Sequence, residues 1–439
     1  MALLAASGCT PDRPKLPLPT GHYEGTLTYQ GTEARVALDM REPTPDHLQA
    51  DFRFLEMGLS FPAQNLRFNA PLLHFEQRPG QKQGNMVVEA VQEGDFWRGN
   101  FKIDTLKADL LLVRRGKADP RPYREQPVRF RSGNLTLRGT LLLPNDTSFQ
   151  HAAVVLLHGS STPHQRDLYS YADLLARRGF AALVYDRRDA DLPAGRLPEY
   201  SQEDLATDAL AAVQALKKQP DIDSTHVGLW GISQGAHVAA IAASRPGRPV
   251  AFVVALSGPG VPYADVERFQ NASRLREHDV SAKDMKQAAK AFDQLVGFVH
   301  GGGESDTTQL HETLTEAWQQ PWAQYTTLPR RVPTPAEIKT QLRWRQLDLD
   351  PRAAWQQVKV PALLVYGSAD ERFDASESAR RLRNVVGYKR GSTVKVYSGA
   401  NHELMLPGGL TKEDKWEWPR PAPGFVDDML GWMRARTAQ

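Results

Sequence analysis

Gly231-Ile232-Ser233-Gln234-Gly235 is the stretch on which the reading of this chain turns. An apolar run, His226-Val227-Gly228-Leu229-Trp230, precedes it, and an Ala-rich, helix-forming run from Ala236 to Ala243 follows. A serine on a sharp strand-to-helix turn needs small neighbours on both sides, because the backbone is strained there and the helix must pass close to the strand. Gly231 and Gly235 meet that need. Such a turn lifts the Ser233 hydroxyl out of the sheet edge and directs the first free N–H groups of the helix at whatever the serine attacks. By average residue usage, a bare Gly-x-Ser-x-Gly arises by chance in roughly one chain of this length in seven, so the pentapeptide informs through its strand-turn-helix setting.

Outward from the pentapeptide the pattern is of short apolar strands alternating with helices, which implies βαβ units and a mostly parallel sheet. Strands are expected at Ala153 to Leu157, Ala181 to Tyr185, Val227 to Trp230, Ala251 to Leu256, Ala362 to Tyr366 and Thr393 to Tyr397. Each is a short apolar run, as strands covered on both faces require. Helices are expected near Leu168 to Arg178, Gln202 to Lys218, Gln234 to Ser244, Ser376 to Asn384 and Gly424 to Arg436. A hairpin, Val128 to Arg131 then Leu135 to Leu143 with Ser132-Gly133-Asn134 as its turn, opens this region. The stretch from about Val261 to Trp355 breaks the alternation; it is helix-like, Ser281 to Val296 most clearly, and reads as a cap inserted between two strands.

From Gly21 to Arg115 the period is two, in about eight short runs separated by Gly, Pro and Asn turns, which predicts a small all-β barrel or sandwich. Asp119-Pro120-Arg121-Pro122 marks the linker. The expected organisation is therefore a tether over residues 1–20, an accessory all-β domain over 21–116, and an α/β domain over 117–439 with its cap at about 261–355.

A chain of 439 residues is too long for one ordinary core. Its 54 basic and 51 acidic residues leave a net charge of +3, and no Lys/Arg block of the kind that tracks phosphates appears, so nucleic acid is not an expected partner. No apolar stretch approaches the roughly 20 residues needed to span a bilayer. The sole cysteine, Cys9, excludes an intramolecular disulfide and any cysteine-based zinc cluster. Its setting, Leu3-Leu4-Ala5-Ala6-Ser7-Gly8-Cys9, resembles the end of a bacterial lipoprotein signal, although a basic segment is missing and the apolar run is short, as a start recorded too far downstream would explain. Lipidation at Cys9 and an envelope location are the expectation, with Thr10 to Thr20, which holds Pro11, Pro14, Pro17 and Pro19, as an extended tether.

A serine hydroxyl is a poor nucleophile at neutral pH and needs a base, and a group that orients the base. Gly367-Ser368-Ala369-Asp370 and Ser398-Gly399-Ala400-Asn401-His402 each follow an expected strand, which places Asp370 and His402 at strand ends. The order Ser233, Asp370, His402 completes a nucleophile, acid and base set. Asp374 is the spare acid, read as the cap of the helix that begins near Ala375. Two N–H donors are expected for an oxyanion, from Gln234 and from Ser160 in the loop His158-Gly159-Ser160 after a strand. His158 itself reads as structural, and His300-Gly301-Gly302-Gly303, inside the cap, as a helix end. Trp318, Trp322, Trp344 and Trp355 lie in or beside the cap, as holders of the cap or walls of an acyl pocket.

Taken with Tyr185-Asp186-Arg187-Arg188 and Leu256-Ser257-Gly258-Pro259-Gly260, these motifs resemble bacterial serine carboxylesterases of the α/β-hydrolase superfamily. The nearest branch is similar to dienelactone hydrolases, prolyl-oligopeptidase catalytic domains and bile-acid-CoA acyltransferases, and the resemblance covers about Val128 to Arg436. It implies an α/β-hydrolase fold with a helical cap, a small ester substrate with a short acyl group, and no metal or organic cofactor. Gln234 and Arg188-Asp189-Ala190 depart from the usual pattern near the expected pocket, so substrate preference does not follow. An acyltransferase, thioesterase or serine peptidase would use the same three residues, and a vestigial binding protein would keep only the fold. The expected state is a monomer or homodimer.

Overall fold

The computed structural model describes residues 17–77, 84–192, 200–247 and 249–437. Cys9 and most of the expected tether lie outside the described residues. The chain divides into two compact units at Pro120.

The first unit is a single nine-stranded antiparallel sheet. Its strands are β1 (Gly21–Tyr29), β2 (Thr32–Thr44), β3 (His47–Phe54), β4 (Leu59–Pro62), β5 (Gln64–Asn69), β6 (Leu72–Glu76), β7 (Met86–Glu93), β8 (Phe96–Ile103) and β9 (Leu106–Gly116). The order β4-β3-β2-β1-β9-β8-β7-β6-β5 puts β4 and β5 at opposite edges, yet only Ala63 separates them in sequence. The sheet must therefore curl until its edges meet, giving a nearly closed barrel. Alternation supplies the inner face: Leu38 and Met40 of β2, Phe52 of β3, Phe75 of β6, Val88 of β7 and Trp97 of β8 are all buried. Phe52 packs at 5.9 Å from Phe75 and 6.1 Å from Phe101, ring centre to ring centre. β4 escapes the sequence pattern because four residues ending in a proline carry too little period-two signal.

In the second unit, β10 (Tyr123–Ser132), β11 (Leu135–Pro144), β12 (His151–Leu157), β13 (Ala181–Tyr185), β14 (Ile222–Ile232), β15 (Val253–Leu256), β16 (Ala362–Gly367) and β17 (Thr393–Tyr397) form one sheet. Their order is β10-β11-β13-β12-β14-β15-β16-β17, antiparallel through β10, β11 and β13 and parallel from β13 onward. The helices are α1 (Tyr169–Ala176), α2 (Gln202–Lys217), α3 (Gln234–Ser244), α4 (Tyr263–Glu277), α5 (Ala282–His300), α6 (Thr308–Trp318), α7 (Pro335–Thr340), α8 (Leu342–Arg345), α9 (Arg352–Gln357), α10 (Ala375–Val386) and α11 (Phe425–Thr437).

Successive strand residues serve two cores. Ala153, Val155 and Leu157 of β12 pack with Val213 of α2, Ile241 of α3 and Leu382 of α10, while Val154 and Leu156 pack with Leu175 of α1 and Met433 of α11. Burial on both faces explains why these strands read as unbroken apolar runs rather than alternating ones. The first turn of α2 is secured by Ser201, whose side chain accepts from Asp204 N while the Asp204 carboxylate accepts from Ser201 N.

Between β15 and β16 the chain makes the expected helical excursion, α4 to α9. It carries its own core of Phe292, Leu295 and Val299 from α5, Leu310 and Leu314 from α6, with Trp322 and Trp344. Trp318 packs against that core and donates Nε1–H to Pro329 O at 2.9 Å. Trp355 belongs instead to the sheet core. Three of the four tryptophans thus pack in or against the cap core and the fourth in the sheet core. His300 does end α5: Gly302 and Gly303 take positive φ, and Gly303 N bonds Phe298 O at 3.0 Å.

Candidate active site

Ser233 lies between β14 and α3 with φ 56° and ψ −120°, a conformation that a non-glycine residue adopts only under strain of about 1–3 kcal/mol. The surroundings impose it. Ser233 N donates to Leu256 O of the neighbouring β15 at 2.8 Å, and Ala236 N turns back to Ser233 O at 3.0 Å. Both flanking glycines are required by close approach: a Cβ on Gly231 would lie 2.3 Å from Gly235 O, and one on Gly235 would lie 2.2 Å from Leu157 O. The helix consequently starts directly against the end of β12, and the loop after β12 comes up beside the serine, since a Cβ on Gly159 would sit 3.7 Å from Ser233 Cβ.

Asp370 and His402 are brought together from the ends of β16 and β17. Asp370 Oδ2 stands 2.7 Å from His402 Nδ1, with the carboxylate fully buried and the imidazole 9% exposed. The other carboxylate oxygen accepts from Arg372 N at 2.8 Å. This pairing leaves Nδ1 as the donor and Nε2 as the free, basic nitrogen. Phe373 meets the imidazole edge to face at 5.7 Å. The loops bearing the two groups interlock: Ala369 N bonds Ala400 O at 2.9 Å, Gly399 N bonds Ser368 Oγ at 2.8 Å, and His402 N bonds Glu371 Oε2 at 3.2 Å. Gly367 allows this, because a Cβ there would lie 2.2 Å from Ala400 O and 2.3 Å from Asn401 O. Asp374 is elsewhere, accepting from Glu377 N at 2.9 Å as the cap of α10. Among the described residues no hydrogen bond joins the Ser233 hydroxyl to His402, whose Nδ1 is paired with Asp370.

Among the described residues neither Ser160 N nor Gln234 N meets a protein acceptor. Gln234 is the first residue of α3, where N–H groups have no partner within the helix. His158 is buried, edge-on to Tyr185 at 5.6 Å. Burial, and then the charge of Arg187, push its pKa down to about 3, so it is a neutral packing group.

Three further groups take part, none of which the sequence assigned a role. Arg187 is 5% exposed and reaches Gly159 O, Ser160 O and the Gln234 side chain. Asp189 pairs with it, Oδ1 at 2.6 Å from Arg187 Nε. His237, one turn along α3, stands 3.1 Å from Tyr263 OH, and burial pushes its pKa down to about 4. His237 also faces a cavity of about 320 Å3 beside α3, lined further by Gln202, Ile241, Ser244 and Asp350. Ser233, Asp370 and His402 do not line that cavity, so it is distinct from the candidate site.

The family model described as Serine aminopeptidase, S33 matches residues 149–407, which takes in Ser160, Ser233, Asp370 and His402. A Mycobacterium tuberculosis protein whose name proposes a phosphoribosyl transferase is 32% identical over 142 residues, 32% of this chain and 31% of that protein. The chain thus spans about a third of that relative. A thiohydrolase of Arthrinium phaeospermum is 28% identical over 193 residues, 43% of this chain and 59% of that protein. Among solved structures, a dienelactone hydrolase from Anabaena variabilis is 17% identical with a TM-score of 0.37, over 72% of this chain and 96% of that one. Because the family match extends over more than half of its 439 residues, the chain belongs to the serine aminopeptidase S33 family of α/β hydrolases, with an all-β domain preceding the shared fold.

Proposed function

We propose that this chain is a serine hydrolase that cleaves carboxylic esters through an acyl-enzyme. The observation that carries the reading is the buried 2.7 Å contact between Asp370 and His402 Nδ1, at the ends of strands that share one sheet with β14, whose end carries Ser233 at positive φ. In the reaction, Ser233 Oγ attacks the ester carbonyl carbon while His402 Nε2 takes the hydroxyl proton. Ser160 N–H and Gln234 N–H receive the negative charge that forms on the carbonyl oxygen. Collapse breaks the bond to the alcohol, which leaves with the proton from Nε2. Water then repeats the sequence on the acyl-enzyme, releasing the acid and restoring Ser233. Asp370 holds the imidazole in the tautomer whose Nε2 is a base and stabilises the imidazolium that follows.

An aminopeptidase must also grip a free α-ammonium with a carboxylate near the nucleophile. Several carboxylates in these loops are otherwise engaged: Asp370 with His402, Asp189 with Arg187, Asp186 with Gln165, Asp208 with Arg188, and Glu371 with His402 N–H. That commitment favours an uncharged ester over a free amino terminus. Thioesters are the second reading, on the likeness to the thiohydrolase. The test is labelling with a fluorophosphonate, then turnover of p-nitrophenyl esters, an acyl thioester and an aminoacyl p-nitroanilide. Ester turnover should dominate, and Ser233→Ala should abolish both labelling and turnover, a loss of about 10⁴-fold or more. Labelling that persists at another serine refutes the assignment.

A further inference from the structure

We propose that Arg187 is a positioning residue that assembles the two halves of the oxyanion site, and so controls turnover without touching substrate. The inference rests on the acyl-enzyme reading above and extends it.

A guanidinium carries five N–H donors in a rigid fork. At Arg187 every one has an acceptor. Nε–H and one Nη2–H form a two-pronged pair with Asp189, at 2.6 and 2.8 Å. The second Nη2–H goes to Ser160 O at 2.9 Å, and the two Nη1–H groups go to Gly159 O at 2.7 Å and Gln234 Oε1 at 3.1 Å. Asp189 is steadied in turn by Tyr200 OH at 2.5 Å. The charge is thus buried, paired and saturated, and its outer edge grips the two segments that carry the proposed donors.

The direction of the grip follows from peptide geometry. In a trans peptide the C=O and the following N–H point to opposite sides of the chain. Holding Gly159 O on the guanidinium therefore turns Ser160 N–H away from it, and that N–H meets no protein acceptor among the described residues. Gly159 is also the residue whose added Cβ would touch Ser233 Cβ. Gln234, source of the other donor, is tied through its side chain to the same Nη1. A cation against the carbonyl oxygen further polarises the Gly159-Ser160 peptide, which strengthens its N–H as a donor. Lysine, with three donors on one point charge, cannot bridge these acceptors and Asp189 together.

Arg188 supplies an internal control. It leaves the same loop, is part-buried, and makes its own two-pronged pair with Asp208 of α2 at 2.8 Å for each bond, without reaching Gly159, Ser160 or Gln234. Loss of a buried ion pair in this loop can therefore be compared with and without loss of the grip.

The experiment compares Arg187→Lys, Arg187→Ala and Arg188→Lys in the full chain, with kcat and KM measured separately on a p-nitrophenyl ester. Inhibition by a trifluoromethyl ketone, whose adduct with serine carries the oxyanion, is measured alongside. Arg187→Lys should lose about 10²-fold in kcat with KM within about threefold, and inhibitor affinity should fall with kcat/KM. Arg187→Ala should regain turnover when methylguanidinium is added at non-denaturing concentration. Arg188→Lys should lower melting temperature and leave kcat alone. A folded Arg187→Lys with wild-type kcat, or with a loss confined to KM, overturns the proposal. Should neither Arg187 variant fold, Gln234→Leu decides: a several-fold fall in kcat upholds the grip, and wild-type kcat overturns it. A wild-type chain that neither labels at Ser233 nor hydrolyses any ester defeats the acyl-enzyme reading, and the proposal with it. A labelled, active chain indifferent to Arg187 defeats the proposal alone.

Discussion

Replacing Asp370 by asparagine keeps the shape of the side chain and exchanges one acceptor oxygen for a donor. Its two oxygens face different demands: Oδ1 accepts Arg372 N–H at 2.8 Å, and Oδ2 faces His402 Nδ1 at 2.7 Å. An asparagine has one oxygen for both. With the oxygen turned to the imidazole, its NH2 would confront the Arg372 N–H at a fully buried position, at a cost of about 1–3 kcal/mol for the unmet donor. The favoured arrangement gives the oxygen to Arg372 and presents NH2 to Nδ1, which must then act as acceptor. The imidazole proton moves to Nε2, and the nitrogen that should take the Ser233 proton is already protonated. The expected loss is about 10⁴-fold in kcat, about 5.5 kcal/mol of barrier, with KM little changed. Active sites would be counted with a fluorophosphonate and turnover followed on p-nitrophenyl acetate. Asp374→Asn is the companion, since asparagine caps a helix as well as aspartate does and Asp374 serves only α10 among the described residues. An Asp370→Asn enzyme within tenfold of wild type, or an Asp374→Asn enzyme more impaired than it, refutes the assignment of the acid.

Two further outcomes follow from the packing. His158 and His237 have folded pKa values of about 3 and about 4, below the free value of about 6.5, so the unfolded chain binds protons that the folded chain refuses. Stability should be full above about pH 6.5 and fall on acidification by about 1.4 kcal/mol per pH unit for each histidine, through about pH 4 for His237. In urea titrations from pH 7.5 to 4.5, His237→Gln should remove one proton's worth of that slope, and a slope equal to wild type would show that His237 is not held neutral. Gly367→Ala puts a methyl 2.2 Å from Ala400 O, so the Asp370 and His402 loops must separate by about 1 Å to relieve it. Turnover should drop about 10²-fold and the melting temperature should fall; wild-type values for both would mean that the loops do not interlock at this glycine.

The features that could be read from the residues alone are those whose physics is local. Ser233 between Gly231 and Gly235 is legible because a strained turn with a helix pressed on a strand restricts its immediate neighbours. The β12, β13, β15 and β16 runs are legible because strands buried on both faces must be apolar throughout, whereas the edge strand β17 is only half-buried; Asp370 and His402 are legible because each follows a strand within a few residues. Asp374 was separable from Asp370 for the same reason, since a helix cap is recognised by the residues just after it. What the fold alone decided are pairings between segments distant in sequence. Nothing in Tyr185-Asp186-Arg187-Arg188 says which arginine turns to the oxyanion loop and which to α2; the acceptors at Gly159 and Ser160, and Asp208 on α2, lie more than 15 residues away. The near-closure of the β-domain follows from β4 and β5 meeting across Ala63, and β4 is too short to announce itself. His237 reads as one more polar residue on a helix, and Trp355 as a cap residue, until burial assigns the first to a cavity wall and the second to the sheet core. Period and turn chemistry are imposed by adjacent residues, whereas the partner of a charge or a ring is chosen by whichever surface the completed sheet brings against it.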